Sequence, residues 1–252
     1  MQMVLLTALG IGGATIVGAI IGFLFKKISH QLNDVILAFA AGVMLAAAVI
    51  GLILPSLEYE GKYTLLISVA GIFCGAFCLN LIDKVVPHLH KMTGVDQEVH
   101  PEQSDRLNKV LLFVMAIAIH NLPEGIAAGV GFGTGNVSEA MMIAIGIGLQ
   151  NIPEGMVIIA PMLAAGVSGG RTFAIAMTTG LVEVAGTLLG YFAVSLSAAI
   201  LPFALAFAGG TMLYVISDEM IPETHAHGAE RGATYALLAG FCLMLAMSFY
   251  LG

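Results

Sequence analysis

The feature that most limits what this chain can become is a succession of apolar stretches, each about 20 residues long, parted by short polar breaks. They cover residues 3–25, 34–54, 64–83, 109–132, 139–163, 173–193, 203–222 and 233–251. Inside hydrocarbon every backbone N–H and C=O must find its partner within its own segment, which leaves helices as the way to span. The expected fold is therefore all-α, a polytopic membrane protein of eight transmembrane helices forming one domain over 1–252. Composition excludes the soluble alternative: with 59% hydrophobic and 10% charged residues there is no charged shell to cover such a core. The first stretch lacks a basic start and is followed by Lys26 and Lys27, so it reads as a retained helix and not a signal peptide. Cys74, Cys78 and Cys242 form no disulfide or zinc-finger pattern, and nothing calls for a nucleic-acid partner.

Basic residues favour the cytoplasmic side of short loops. The odd-numbered connections carry Lys26, Lys27, Lys84, Lys91, Arg106, Lys109, Arg171 and Arg231, against Lys62 alone on the other side. With eight spans, both termini are then expected outside the cytoplasm. The polar segment 84–108, with His88, His90 and His100, reads as a mobile cytoplasmic loop.

Two polar hexapeptides interrupt this pattern. "HNLPEG" runs from His120 to Gly125 and "QNIPEG" from Gln150 to Gly155, 30 residues later. In each, the first and fifth residues share one helical face, about 5–6 Å apart, so His120 with Glu124 and Gln150 with Glu154 can each grip an ion. Pro123 and Pro153 cannot donate to the carbonyls of Ile119 and Leu149, which predicts bent helices with free backbone oxygens at mid-membrane. Spans four and five run in opposite directions, so the copies face each other as an inverted repeat does. The protease motif HExxH is absent.

Energetics narrows the chemistry. Glu124, Glu154 and Glu183 lie within spans, and burying three acids costs roughly 8–10 kcal/mol unless something compensates. No Lys or Arg occupies a span interior, so a bound cation or protons must supply the countercharge. Carboxylate, imidazole and amide together suit Zn²⁺, Fe²⁺, Mn²⁺, Co²⁺ or Cd²⁺ better than Ca²⁺ or Cu⁺.

At these residues the chain resembles the ZIP family of divalent-metal transporters, in particular its bacterial GufA-like branch. The resemblance extends over the whole chain and rests chiefly on "HNLPEG" and "QNIPEG". It implies import of a divalent transition metal, zinc foremost, through a mid-membrane centre in the inner membrane of the cell, by movement of one helix bundle against another. It implies a first metal position on His120, Glu124, Gln150 and Glu154, and a second on Asn121, Glu124, Asn151, Glu154 and Glu183, with Met44 as a soft ligand. Asn151 stands where many relatives of this kind carry Asp, which lowers the charge of the second position. A homodimer in contact with membrane lipid is the expected assembly, with the metal as substrate and no cofactor.

Other residues keep two readings. Asp218, Glu219, Glu223, His225 and His227 near the end of span seven form either a weak metal exit site or a solvated helix end. Asp34 reads as a helix-start acid meeting water. Met44 is one of 14 methionines, so core packing competes with ligation. The competing function is a polytopic membrane metallohydrolase, which needs an open coordination position, a base and room for an organic substrate. None of the last three is evident in the sequence, so the chain is not expected to be an enzyme.

Overall fold

Long uncharged runs with no access to water close their own backbone hydrogen bonds, and among the described residues they do so as eight rods. A computed structural model describes residues 1–25, 29–92, 102–226 and 228–251. The rods are α1 (Gln2–Leu24), α2 (His30–Ala46, continued through Ala47–Ile53 and Leu54–Leu57), α3 (Thr64–Met92), α4 (Glu102–Gly131), α5 (Val137–Ala164), α6 (Gly169–Leu196), α7 (Leu201–Val215, continued through Ile216–Met220 and Ile221–Thr224) and α8 (Glu230–Leu251). Seven of them are long and apolar enough to cross a membrane over their described residues. The remaining one, α4, is 30 residues long and carries the first hexapeptide. No strand occurs among the described residues.

The ends differ from the hydropathy reading where amphipathic turns extend the rods. Helix α3 continues to Met92 and α4 begins at Glu102, so much of the 84–108 stretch is helical and the connection between them is correspondingly shorter. His100 falls outside the described residues. Ser29 caps α2, its hydroxyl accepting from the Leu32 N–H at 3.2 Å. Asp34, expected to meet water, is buried instead, although Gln31 and Leu32 of the turn before it are exposed.

The helices pair as α1 with α5, α4 with α6, α2 with α8 and α3 with α7, while α1 also packs on α6. Exchanging α1 with α6, α2 with α7, α3 with α8 and α4 with α5 reproduces the same set of pairs, as an inverted repeat requires. The register of the repeat is written in glycines that let backbones touch. A methyl group at Gly125 would strike the carbonyl of Glu183, and one at Gly155 would strike that of Thr15. Likewise Gly186 abuts the Leu122 carbonyl and Gly18 that of Ile152, while Gly42 meets Leu237 and Gly210 meets Ile72. From Thr15, Gly18 and Gly42 the counterparts lie 168 residues on, at Glu183, Gly186 and Gly210. Glu183 and Thr15 are thus repeat mates.

The prolines of the two hexapeptides do not break their helices: α4 runs on through Pro123, and α5 through Pro153 and Pro161. The irregular turns lie in α2 and α7. There Leu54 donates to the carbonyl of Val49 and Ile221 to that of Ile216, five residues back, which is π-helical pairing. Each widened turn is followed by a proline, Pro55 or Pro222, that cannot donate to an ordinary helical acceptor. Large apolar side chains such as Leu6, Phe73, Phe77 and Tyr235 lie exposed on the outward faces of α1, α3 and α8.

Candidate metal centre

Helices α4, α5 and α6 bring the hexapeptides and Glu183 to the middle of the bundle. Asn121, Glu124, Gln150, Asn151 and Glu183 are wholly buried, whereas His120 and Glu154 keep 8% and 7% exposure. That small difference locates the way in, because both side chains line a cavity of about 470 Å³ whose wall also includes Asp218, Glu219 and Glu223. Glu124 lies within reach of the charges of both Glu154 and Glu183.

The hydrogen bonds divide the polar groups into two sets. In the first, Asn151 donates through Nδ2 to Oε2 of Glu183 at 2.8 Å and to the carbonyl of Ile11 at 3.1 Å. The Thr15 hydroxyl lies 3.2 Å from both Glu183 oxygens and donates to that carboxylate. In the second, both oxygens of Glu124, both amide atoms of Gln150 and of Asn121, and Oδ1 of Asn151 are buried among the described residues with no hydrogen-bond partner beyond the approach of Gln150 to Glu124. Unpaired buried polar groups are costly, and a cluster rich in acceptors fits a cation. Nδ1 or Nε2 of a histidine can join such a set, but Nε2 of His120 here donates to Oε1 of Glu219 at 2.8 Å. Accordingly, no three His, Cys, Asp or Glu side chains among the described residues already stand in metal-binding geometry.

The remaining sequence candidates sort as follows. Asp218, Glu219 and Glu223 face the cavity. His225 does not: its Nδ1 donates to the Ile221 carbonyl at 2.9 Å and its Nε2 lies 3.2 Å from the Thr234 hydroxyl, which ties the end of α7 to α8. His227 falls outside the described residues. Met44 is fully buried in an apolar cluster with Ile147, Ala127 and Met212, its own repeat mate. Sequence reading missed Thr15, although it lies in an otherwise strongly apolar stretch, and missed that Glu219 reaches His120. The signal for Thr15 was its position 168 residues before Glu183.

The described residues thus form a helical, multi-pass membrane bundle on an inverted repeat, with buried carboxylate and amide groups at its centre and an acid-lined cavity bounded by His120 and Glu154 beside them. The chain belongs to the ZIP family: the ZIP zinc transporter family model matches residues 87–248. It is similar to the zinc transporter GufA of Myxococcus xanthus, 46% identical over 168 residues, which are 67% of this chain and 65% of that protein. It is also similar to the zinc transporter ZIPB of Bordetella bronchiseptica, 38% identical over 245 residues covering 95% and 78% of the two chains. With the zinc transporter ZupT of Chlorobaculum parvum it shares 34% identity over 92% of this chain and 91% of that one. The matched part thus spans just under two thirds of the length of the Myxococcus protein, and nearly all of ZupT.

Proposed function

We propose that this protein carries divalent transition-metal ions, zinc foremost and Fe²⁺, Mn²⁺, Co²⁺ or Cd²⁺ as further candidates, across the membrane into the cytoplasm. The ion is bound at a first position by His120, Glu124, Gln150 and Glu154, with Asn121, Asn151 and Glu183 closing the centre behind it. The observation that carries this reading is the burial of Glu124 and Gln150 side by side, with no hydrogen-bond partner outside that pair, next to His120 and Glu154 in the wall of an acid-lined cavity. Asp218, Glu219 and Glu223 supply acidic groups along that cavity, which suits a path of weak sites for a departing cation. The relatives' names support zinc as substrate, and none of them points to the hydrolase alternative.

The asymmetry of basic residues supports a setting with both termini outside the cytoplasm and the α7 end of the cavity facing inward, in the inner membrane of the cell. The apolar outer faces of α1, α3 and α8 suit contact with lipid and with a second copy in a homodimer. Zinc uptake into proteoliposomes tests the function. Glu124→Ala and Glu154→Ala are expected to lower uptake on the order of 100-fold, the upper end of what loss of a group supporting a metal site costs. Undiminished uptake in both variants would overturn the assignment.

A further inference from the structure

We infer that the centre holds one divalent cation and not two, because the amide of Asn151 occupies as a hydrogen-bond donor the ground a second cation would take, and that Glu183 is a positioning residue. This rests on the transport reading above and specifies how its centre is loaded. The orientation of the Asn151 amide follows from its partners. A carbonyl and a carboxylate only accept, so the atom 3.1 Å from the Ile11 oxygen and 2.8 Å from Glu183 Oε2 is the NH₂ group, and both of its protons are used. Thr15 adds a third donor from α1. Glu183 is fully buried and already satisfied, and through it α1, α5 and α6 are tied together.

The same geometry with a carboxylate at 151 would set two anionic groups and a carbonyl oxygen against one another, an arrangement that needs a proton or a cation between them, and a dication at hand would serve. Charge counting agrees. One dication matches Glu124 and Glu154, while the charge of Glu183 is met by donors from Thr15 and Asn151. Four carboxylates would match two dications. Nor is this arrangement a generic property of asparagine in these hexapeptides. Asn121, the repeat mate of Asn151, has neither amide atom bonded, and the α1 residue that mirrors Glu183 is Thr15, which carries no charge to hold.

The test is zinc K-edge absorption fine structure on the purified full chain saturated with zinc. Two ions sharing bridging carboxylates scatter off each other at about 3.5–4 Å. The parent is expected to lack that zinc–zinc signal and Asn151→Asp to gain it. A signal in the parent overturns the inference, as does its absence from a folded, zinc-loaded Asn151→Asp. Equilibrium zinc binding to two further variants keeps the question decidable if Asn151→Asp does not fold. Glu183→Gln is expected to weaken binding by no more than about 10-fold, the lower range for a supporting group, and Glu124→Gln by on the order of 100-fold or more. Equal losses would make Glu183 a ligand and overturn the inference. Unchanged zinc binding in Glu124→Gln would instead sink the transport centre itself, a different failure.

Discussion

The two ends of the central path differ although the repeat relates them. At the α7 end, the widened turn Ile216–Met220 presents Asp218 and Glu219 to a cavity of about 470 Å³ that reaches His120 and Glu154. At the α2 end, the matching turn Ala47–Ile53 carries Ile50, Gly51 and Leu52, and the side chain of Ile143 packs directly over Gly51. The cleft beyond it, about 280 Å³ between Glu58, Tyr59, Thr134, Asn136 and Glu139, includes none of the centre's residues in its wall. The backbone device is shared and the side chains are not. What hangs on the π turn therefore distinguishes the two ends: acids line a cavity at one, and apolar contacts close the other.

Several substitutions press on that comparison. If the repeat sets the frame of both ends, Gly125→Ala and Gly155→Ala should be matched. Each drives a methyl group into a backbone carbonyl, of Glu183 or Thr15, and overpacking of this kind costs about 1–3 kcal/mol. Thermal unfolding in detergent should show similar losses, and a large loss in only one of them would break the symmetry argument. Next, Glu219→Leu makes the α7 end resemble the α2 end. Initial zinc uptake should fall by roughly 10-fold, as for loss of a hydrogen-bonding neighbour of a metal-site histidine, while Glu223→Gln falls less. Uptake as fast as the parent in Glu219→Leu would remove that residue from the path.

A smaller effect is expected from Thr15→Val, which deletes a donor to Glu183 while keeping the shape. A loss of about 1 kcal/mol in unfolding free energy is the usual cost of such a bond, and Gly10→Ala on the same helix, where a methyl group meets open space, serves as the control. Smallest of all is the effect at the α2 end. Burial, then the charges of Glu139 and Glu58, raise the Tyr59 phenol above its ordinary value of 10.0. Removing a neighbouring negative charge makes the phenolate easier to form, so Glu139→Gln should lower the pH at which Tyr59 ionises. Phenolate absorbance, read as the difference from Tyr59→Phe, measures it, and a shift in the opposite direction would show that Glu139 is not beside the ring.

How much of this was legible beforehand depends on the range of the interaction. The pairing of His120 with Glu124, and of Gln150 with Glu154, follows from helical spacing alone, and the three intramembrane acids announce themselves by their cost in hydrocarbon. The helix ends were less legible. Residues 84–92 and 102–108 look like loop because they are polar, yet they continue α3 and α4, since a helix emerging from the membrane needs no apolar residues to persist. Pro123 and Pro153 lie inside continuous helices, and the π-helical turns form instead in α2 and α7 ahead of Pro55 and Pro222. The burial of Asp34 and the bond between His225 and Thr234 of α8 depend on where helices meet, which spacing along one helix does not set.

The amino-acid sequence by itself determined that this chain lives in a membrane, that it repeats itself upside down, and which residues carry charge into the hydrocarbon. Those properties depend on composition and on spacing along single helices. The tertiary structure alone decided that Asn151 and Thr15 bind Glu183, that His120 turns to Glu219, and that one end of the path is open while the other is packed shut. Each of these joins residues far apart in the chain, and hydrogen bonds near 3 Å exist only once close backbone contact at the glycines has fixed which helices touch and in what register.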